Sequence, residues 1–138
     1  AALPRRRPIM DEATLFALPR ILTYMSLTAF LQRLRETSEQ IEFADTIALI
    51  DRHYDYTPSA FRNGDVSNAA GQNGGSCKIF AFARLQGLSQ DETLACFGRY
   101  YRDDVLKHVD ASDHPNIRNF MRHGWAGIAL DGEALKLR

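Results

Sequence analysis

The sequence has few cysteines, no long apolar run and no net charge, and each of these features argues against a class of protein. Its 138 residues include two cysteines, too few for the disulfide framework of a small secreted domain. No apolar run approaches the ~20 residues that span a bilayer. The formal net charge is zero, which argues against bulk electrostatic binding of nucleic acid or of an anionic membrane. We therefore expect a reduced protein with no nucleic-acid partner and no membrane span.

The composition is that of one globular domain. Hydrophobic residues make up 45% of the chain and charged residues 25%, and a chain of this length can bury a core without disulfides or metals. Three lysines accompany fourteen arginines. The planar guanidinium group favours specific, forked hydrogen bonds over diffuse solvation, so the arginines are candidates for defined contacts.

Residues 1–24 differ in character from the rest. They contain three prolines and the basic run Arg5 to Arg7, and they show no sustained helical or strand period. Met25 followed by Ser26 is typical of a natural start. The sequence predicts a mobile N-terminal arm or a non-native extension over residues 1–24 and one folded domain over residues 25–138.

Helix caps and apolar stripes predict about five helices in that domain. A serine at the start or a glycine at the end marks most of them. The predicted helices follow Ser26, span Phe43 to Tyr54, run from Ser76 to Gly87, begin at the Ser89–Glu92 capping box and run to about Leu106, and span Asn116 to His123 before Gly124.

Two stretches favour strands. Tyr56 to Arg62 is extended before an Asn63-Gly64-Asp65 turn, and residues 64–75 are rich in glycine and typical of a loop. Trp125 to Leu130 suits a strand that pairs with Tyr56 to Arg62. The predicted fold is α+β, with about five helices packed with a small antiparallel sheet in a single domain.

Cys77 is the candidate nucleophile, because it lies at a predicted helix start behind a glycine-rich loop. Unpaired N–H groups and the helix dipole can lower the pKa of a thiol there. His53, His114 or His123 would supply the base of a Cys-His-acid set, with Asp55, Asp104 or Asp113 to orient it. The alternative is that Cys77 is a small buried packing residue, as free cysteines usually are. The sequence leaves enzyme activity open.

A binding site is predicted from several separate features. The Gly71–Ser76 loop, with Asn73 and Lys78, can cradle a phosphate or carboxylate, although it lacks the Walker ending and an ordered turn without ligand is the alternative. Arg118 and Arg122 lie four residues apart on one helical face and can grip an anion or, alternatively, pair with Asp55, Asp103 or Asp104. Tyr56 and Tyr100 are candidate exposed contacts, whereas Tyr101 is expected in the core.

The sequence predicts no metal site and no cofactor. His108, Asp110, Asp113 and His114 are close along the chain, but their spacing matches no zinc or calcium template. A position for His108 near a helix C-terminus accounts for it through the helix dipole.

Four long segments resemble the signature blocks of the HopJ type III effector family. They are DRHYDYTPSAFRNG, NGGSCKIFAFARLQGLS, LACFGRYYRDDVLKH and HPNIRNFMRHGWAGI, and they cover most of residues 41–132. The resemblance implies a small α+β protein of plant-associated or other Gram-negative bacteria, injected into host cells through the type III apparatus. It implies no catalytic residues.

From this resemblance we expect a type III effector-like protein that acts by protein binding, with a role in virulence. Host proteins and the secretion machinery are the expected partners, and a monomer is expected. The expected location is the bacterial cytoplasm, with delivery into the host cell. The alternatives are a small enzyme or anion-binding protein with a Cys/His/Arg pocket, and a housekeeping bacterial protein.

Overall fold

The computed structural model describes residues 26–138; the predicted arm lies outside the described residues. In chain order the elements are α1 (Leu27–Glu36), a 3-10 turn (Ser38–Gln40), α2 (Phe43–His53), β1 (Tyr54–Tyr56), β2 (Phe61–Asn63), β3 (Val66–Asn68), α3 (Gly74–Gln86), α4 (Gln90–Ala95), a π-helix (Tyr100–Val105), α5 (Pro115–His123), a 3-10 turn (Gly124–Gly127), β4 (Ile128–Leu130) and β5 (Leu135–Leu137). Within residues 26–138 there are thus five α-helices and two small antiparallel sheets, which confirms the predicted α+β class.

Local capping explains where several helices begin. The Ser26 hydroxyl accepts a hydrogen bond from the backbone N–H of Ala29 at 3.0 Å. Ser89 and Glu92 form the predicted capping box, in which each side chain accepts from the other residue's backbone N–H. These predicted starts are confirmed, because a cap depends only on residues within one turn.

The predicted helix from Ser89 to Leu106 is wrong in its length. Helix α4 ends at Ala95, and the backbone passes through Gly98 in the left-handed region, with φ of 63°. A Cβ atom at Gly98 would lie 2.5 Å from the backbone nitrogen of Phe43, so only glycine lets the two segments approach this closely. The chain then forms a π-helix, a rare form that is frequent at functional sites.

The strand predictions are confirmed in part. β2 pairs with β4, so Phe61 faces Leu130 as expected, but Trp125 lies in a 3-10 turn rather than in the strand. Tyr56 belongs to β1, which pairs with β5 in a separate sheet. β3 pairs with β2 across the predicted turn, within residues expected to be loop.

Helix α3 is the centre of the core. It is buried on nearly all sides, as its uninterrupted apolar sequence predicted, and it begins at Gly74 rather than after Ser76. The ring of Phe80 is fully buried and lies 5.0 Å from Phe120, 5.7 Å from Phe97 and 6.0 Å from Phe61, centroid to centroid. These tilted ring pairs join the helix to β2 and α5.

All five asparagines of the chain meet in one network of amide hydrogen bonds. The Asn116 amide donates to Asn68 Oδ1 at 3.0 Å, and Asn63 Nδ2 donates to Asn116 Oδ1 at 2.9 Å. Asn73 Nδ2 donates to Asn68 Oδ1 at 2.6 Å, and Asn119 Nδ2 donates to the Asn63 carbonyl at 2.8 Å. The network fixes the β2–β3 hairpin against the starts of α3 and α5.

We expect Asn68→Ala to lower the free energy of unfolding by about 2–3 kcal/mol, because it leaves the buried Asn116 amide without its acceptor and removes the buried Asn68 amide from the network. Ser67→Ala, on the exposed face of the same strand, is the matched control and should change it by less than about 0.5 kcal/mol. Urea unfolding of both variants measures the difference. Equal midpoints for the two variants would contradict a structural role for the network.

Candidate functional site

A cleft of about 370 Å³ lies between the N-terminal ends of α3 and α5. Its lining comes from the first turns of α3 and α5 and from the aromatic residues that face them: Phe43, Asn73, Gly75, Ser76, Phe97, Tyr100, His114, Pro115, Asn116 and Ile117. A cleft with an apolar floor and a few converging polar groups is the usual form of a binding site.

The two helices begin in the same unusual way. Asn73 and His114 occupy the N-cap positions with φ of 53° and 51°, and within residues 26–138 they are the only non-glycine residues with positive φ. Neither side chain caps its own helix. Left-handed backbone at a residue other than glycine costs free energy, and it occurs more often at functional positions than elsewhere.

Aromatic stacking and a carboxylate hold the His114 ring. Tyr100 stacks on it with centroids 4.9 Å apart and an interplanar angle of 28°. His114 Nε2 lies 3.0 Å from Asp104 Oδ2. Because a carboxylate only accepts hydrogen bonds, this contact assigns the proton to Nε2.

Several hydrogen bonds to neighbouring residues hold the Arg118 side chain. Its guanidinium group donates to Asp113 Oδ1 at 2.6 Å and to the carbonyls of Asp113, His108 and Asp104. The Arg118 group lowers the pKa of the Asp113 carboxyl. The alternative prediction of an ion pair for Arg118 is thus correct in kind, although the partner is Asp113 rather than the acids expected.

A second groove, of about 280 Å³, lies between α5 and the segment that follows the π-helix. It is lined by Val105, Val109, Ala111, Arg118, Met121 and Arg122. Arg122 is exposed and donates a long hydrogen bond, 3.4 Å, to Asn119 Oδ1. The two predicted arginines therefore share a groove, but it is separate from the cleft that Asn73 lines.

Cys77 is 1% exposed. Burial raises the pKa of its thiol, which donates to the Ser59 carbonyl at 3.6 Å and lies beside the buried Tyr56 hydroxyl. No histidine is among these contacts in the part of the chain that the structure describes. The geometry favours Cys77 as a packing residue and argues against a thiolate at neutral pH.

Tyr56, predicted as an exposed contact, is instead half-buried with its hydroxyl beside Cys77, whereas, within residues 26–138, the predicted histidines are not among the contacts of Cys77. Lys78 pairs with Asp51 at 2.7 Å and lies over the half-buried Tyr56 ring, 4.8 Å from its centroid. The His123 ring packs against Gly64, where a Cβ atom would lie 2.3 Å from it. His53 accepts a hydrogen bond from the Arg138 backbone through its own carbonyl.

The site residues that sequence reasoning missed are Asn116, Phe97 and Phe43, together with the joint role of Tyr100, His114 and Asp104. The sequence indicated Tyr100, His114 and Asp104 only as separate candidates. No local pattern joins them, because they come from the π-helix and from the loop before α5.

Comparison with known proteins identifies the family of the chain. A family model described as HopJ type III effector protein matches residues 27–135. The chain belongs to the HopJ family. A crystal structure described as the unknown-function protein VPA0580 is 53% identical, with 83% of this chain and 95% of that chain covered and a TM-score of 0.81. No curated protein matches the chain.

This HopJ-family fold includes no helix, among residues 26–138, that is long and apolar enough to cross a membrane.

We expect both thiols of the folded protein to resist a thiol reagent such as DTNB near neutral pH. Cys96 is 0% exposed, and burial raises the pKa of its thiol as well. Unfolding the same sample in guanidinium is the control, and it should release two reactive thiols. One rapidly reacting thiol in the folded protein, lost in Cys77→Ser, would instead support the Cys/His/Arg pocket.

Proposed function

We propose that this HopJ-family protein is a type III effector-like protein that acts by binding a host protein through an exposed apolar surface. The surface consists of Val109, Ala111, Met121 and Arg122, which line the second groove, and we call it the Val109 surface. Val109 is 70% exposed, and Leu106, three residues before it in the chain, is 44% exposed. Exposure of such large apolar side chains is the observation on which the proposal depends, since water contact with them is unfavourable unless a partner covers them.

The composition of the Val109 surface resembles that of known protein interfaces. Methionine and arginine are enriched in interfaces, and both line this groove. Arg118 underlies the groove and is held by several hydrogen bonds, so binding would immobilise few additional rotamers there. Arg122 is exposed and available for a carboxylate of the partner.

The family supports the biological setting of the proposal. Members carry the description of type III effector protein, and an effector meets the secretion machinery and then host proteins. Binding rather than catalysis is favoured because the predicted nucleophile, Cys77, is buried.

We expect a photo-crosslinking residue placed at position 109 to form one discrete adduct in host-cell extract. The same residue at Leu85, which is also exposed but lies at the far end of α3, is the matched control and should give none. Mass spectrometry of the adduct identifies the partner. Adducts that are equally diffuse from both positions would contradict a specific protein interface at the Val109 surface.

We also expect a type III-competent bacterium to deliver the full chain, fused to a translocation reporter, into host cells. A chain that begins at Met25 is tested in parallel, and delivery much below that of the full chain would indicate an export signal within residues 1–24. A strain without a working secretion apparatus is the control. Retention of both chains in the bacterium would reject the effector role and favour a housekeeping role.

A further inference from the structure

We propose that Asp104, Asp113 and His114 form a binding site for a divalent transition-metal ion at the edge of the cleft between α3 and α5. One ligand atom from each side chain lies within 4.8 Å of the other two. This inference goes beyond the proposed binding role and does not depend on it, since the Val109 surface involves none of these three side chains.

The spacing of the three atoms suits one ion. Zinc and similar ions bind nitrogen and oxygen ligands at about 2.0–2.2 Å, which places neighbouring ligand atoms about 3–3.5 Å apart. His114 Nε2 lies 3.0 Å from Asp104 Oδ2 and 3.8 Å from Asp113 Oδ2. The Asp104 and Asp113 ligand atoms are at most 4.8 Å apart, so these side chains would move closer together on binding an ion.

No hydrogen bond joins the Asp113 carboxylate to the His114 ring. His114 Nε2 carries at most one proton, which Asp104 accepts. Asp113 Oδ2, at 3.8 Å, lies beyond hydrogen-bonding distance from that nitrogen. A metal ion would contact both carboxylates and the ring at once, with the imidazole proton on Nδ1 instead of Nε2.

Neighbouring groups orient the ligands in the way that metal sites require. Arg118 holds Asp113 Oδ1 at 2.6 Å, so that the other carboxylate oxygen faces His114. Stacking on Tyr100 fixes the plane of the His114 ring. In known metal sites such supporting contacts set the direction of each ligand and strengthen binding.

The charge balance also favours a cation. Arg118 pairs with Asp113 at 2.6 Å. Among residues 26–138, the carboxylate of Asp104 has no lysine or arginine partner, and its ion-pair contact is His114 Nε2 at 3.0 Å. A divalent ion would neutralise that charge and bridge the two acids.

The ligand set indicates which ions fit and what they would do. Imidazole is a good ligand for zinc and iron, and carboxylates are good ligands for manganese. A site with one imidazole and two carboxylates therefore favours Zn²⁺, Mn²⁺ or Fe²⁺ over Ca²⁺. Three protein ligands leave coordination positions open, as in catalytic rather than structural sites. Because His114 also lines the cleft, the open positions would take an oxygen ligand, a carboxylate or phosphate, bound there.

Calorimetric titration of the full chain with Zn²⁺ tests the site. We expect saturable one-to-one binding near neutral pH, weakened at least about tenfold in Asp104→Asn and in Asp113→Asn. Asp103→Asn is the matched control: Asp103 is in the same π-helix but pairs with Lys107 at 3.1 Å, and its loss should leave binding unchanged. Two independent ligand variants keep the test decisive if one of them is poorly folded.

Paramagnetic Mn²⁺ locates the bound ion directly. At substoichiometric Mn²⁺ we expect the amide resonances of residues 104, 113 and 114 to broaden. The resonance of Leu85, near the C-terminal end of α3 and away from the cleft, should stay sharp. Absence of one-to-one Zn²⁺ binding would overturn the proposal. Binding that Asp104→Asn and Asp113→Asn leave intact, or broadening spread evenly over the acidic surface, would overturn it as well.

Discussion

Four buried asparagine amides, with the exposed Asn73 as a fifth member, form the hydrogen-bond network on which the arrangement of the domain depends. Asn63 and Asn68 lie on the β2–β3 hairpin, Asn73 precedes α3, and Asn116 and Asn119 belong to α5. A buried amide without partners costs more than a hydrogen bond gains, so the three elements are bound together as a unit. Asn63 Oδ1 is the network's only buried side-chain atom without a partner among residues 26–138.

The same network produces the cleft. By joining the residue before α3 to the second residue of α5, it brings the first turns of both helices to one place. The residues that begin these helices, Asn73 and His114, are held in left-handed backbone. The cost of that conformation is offset by the amide bonds and by the stack of Tyr100 on His114, which together leave polar side chains around an apolar floor.

The domain separates a packing side from a polar side. On the packing side, the side chains of Phe80 and Cys77 are buried, and burial raises the pKa of the Cys77 thiol. Around His114 and Arg118 the groups are half-exposed, charged and mutually oriented. The proposed metal site lies in the second region, whereas Cys77, the candidate nucleophile, lies in the first.

The amino-acid sequence by itself determined the α+β class, the starts of α1 and α4, the end of α5 at Gly124 and the family, because caps, apolar stripes and long segments typical of the family are local. Three-residue strands such as β3 and β5 are too short to show alternation, so their pairing was decided by tertiary contacts. Only the folded chain could place Asp104 beside His114 and choose Asp113 for Arg118. These contacts depend on how a π-helix and a loop reverse the chain, and no spacing in the sequence encodes that reversal.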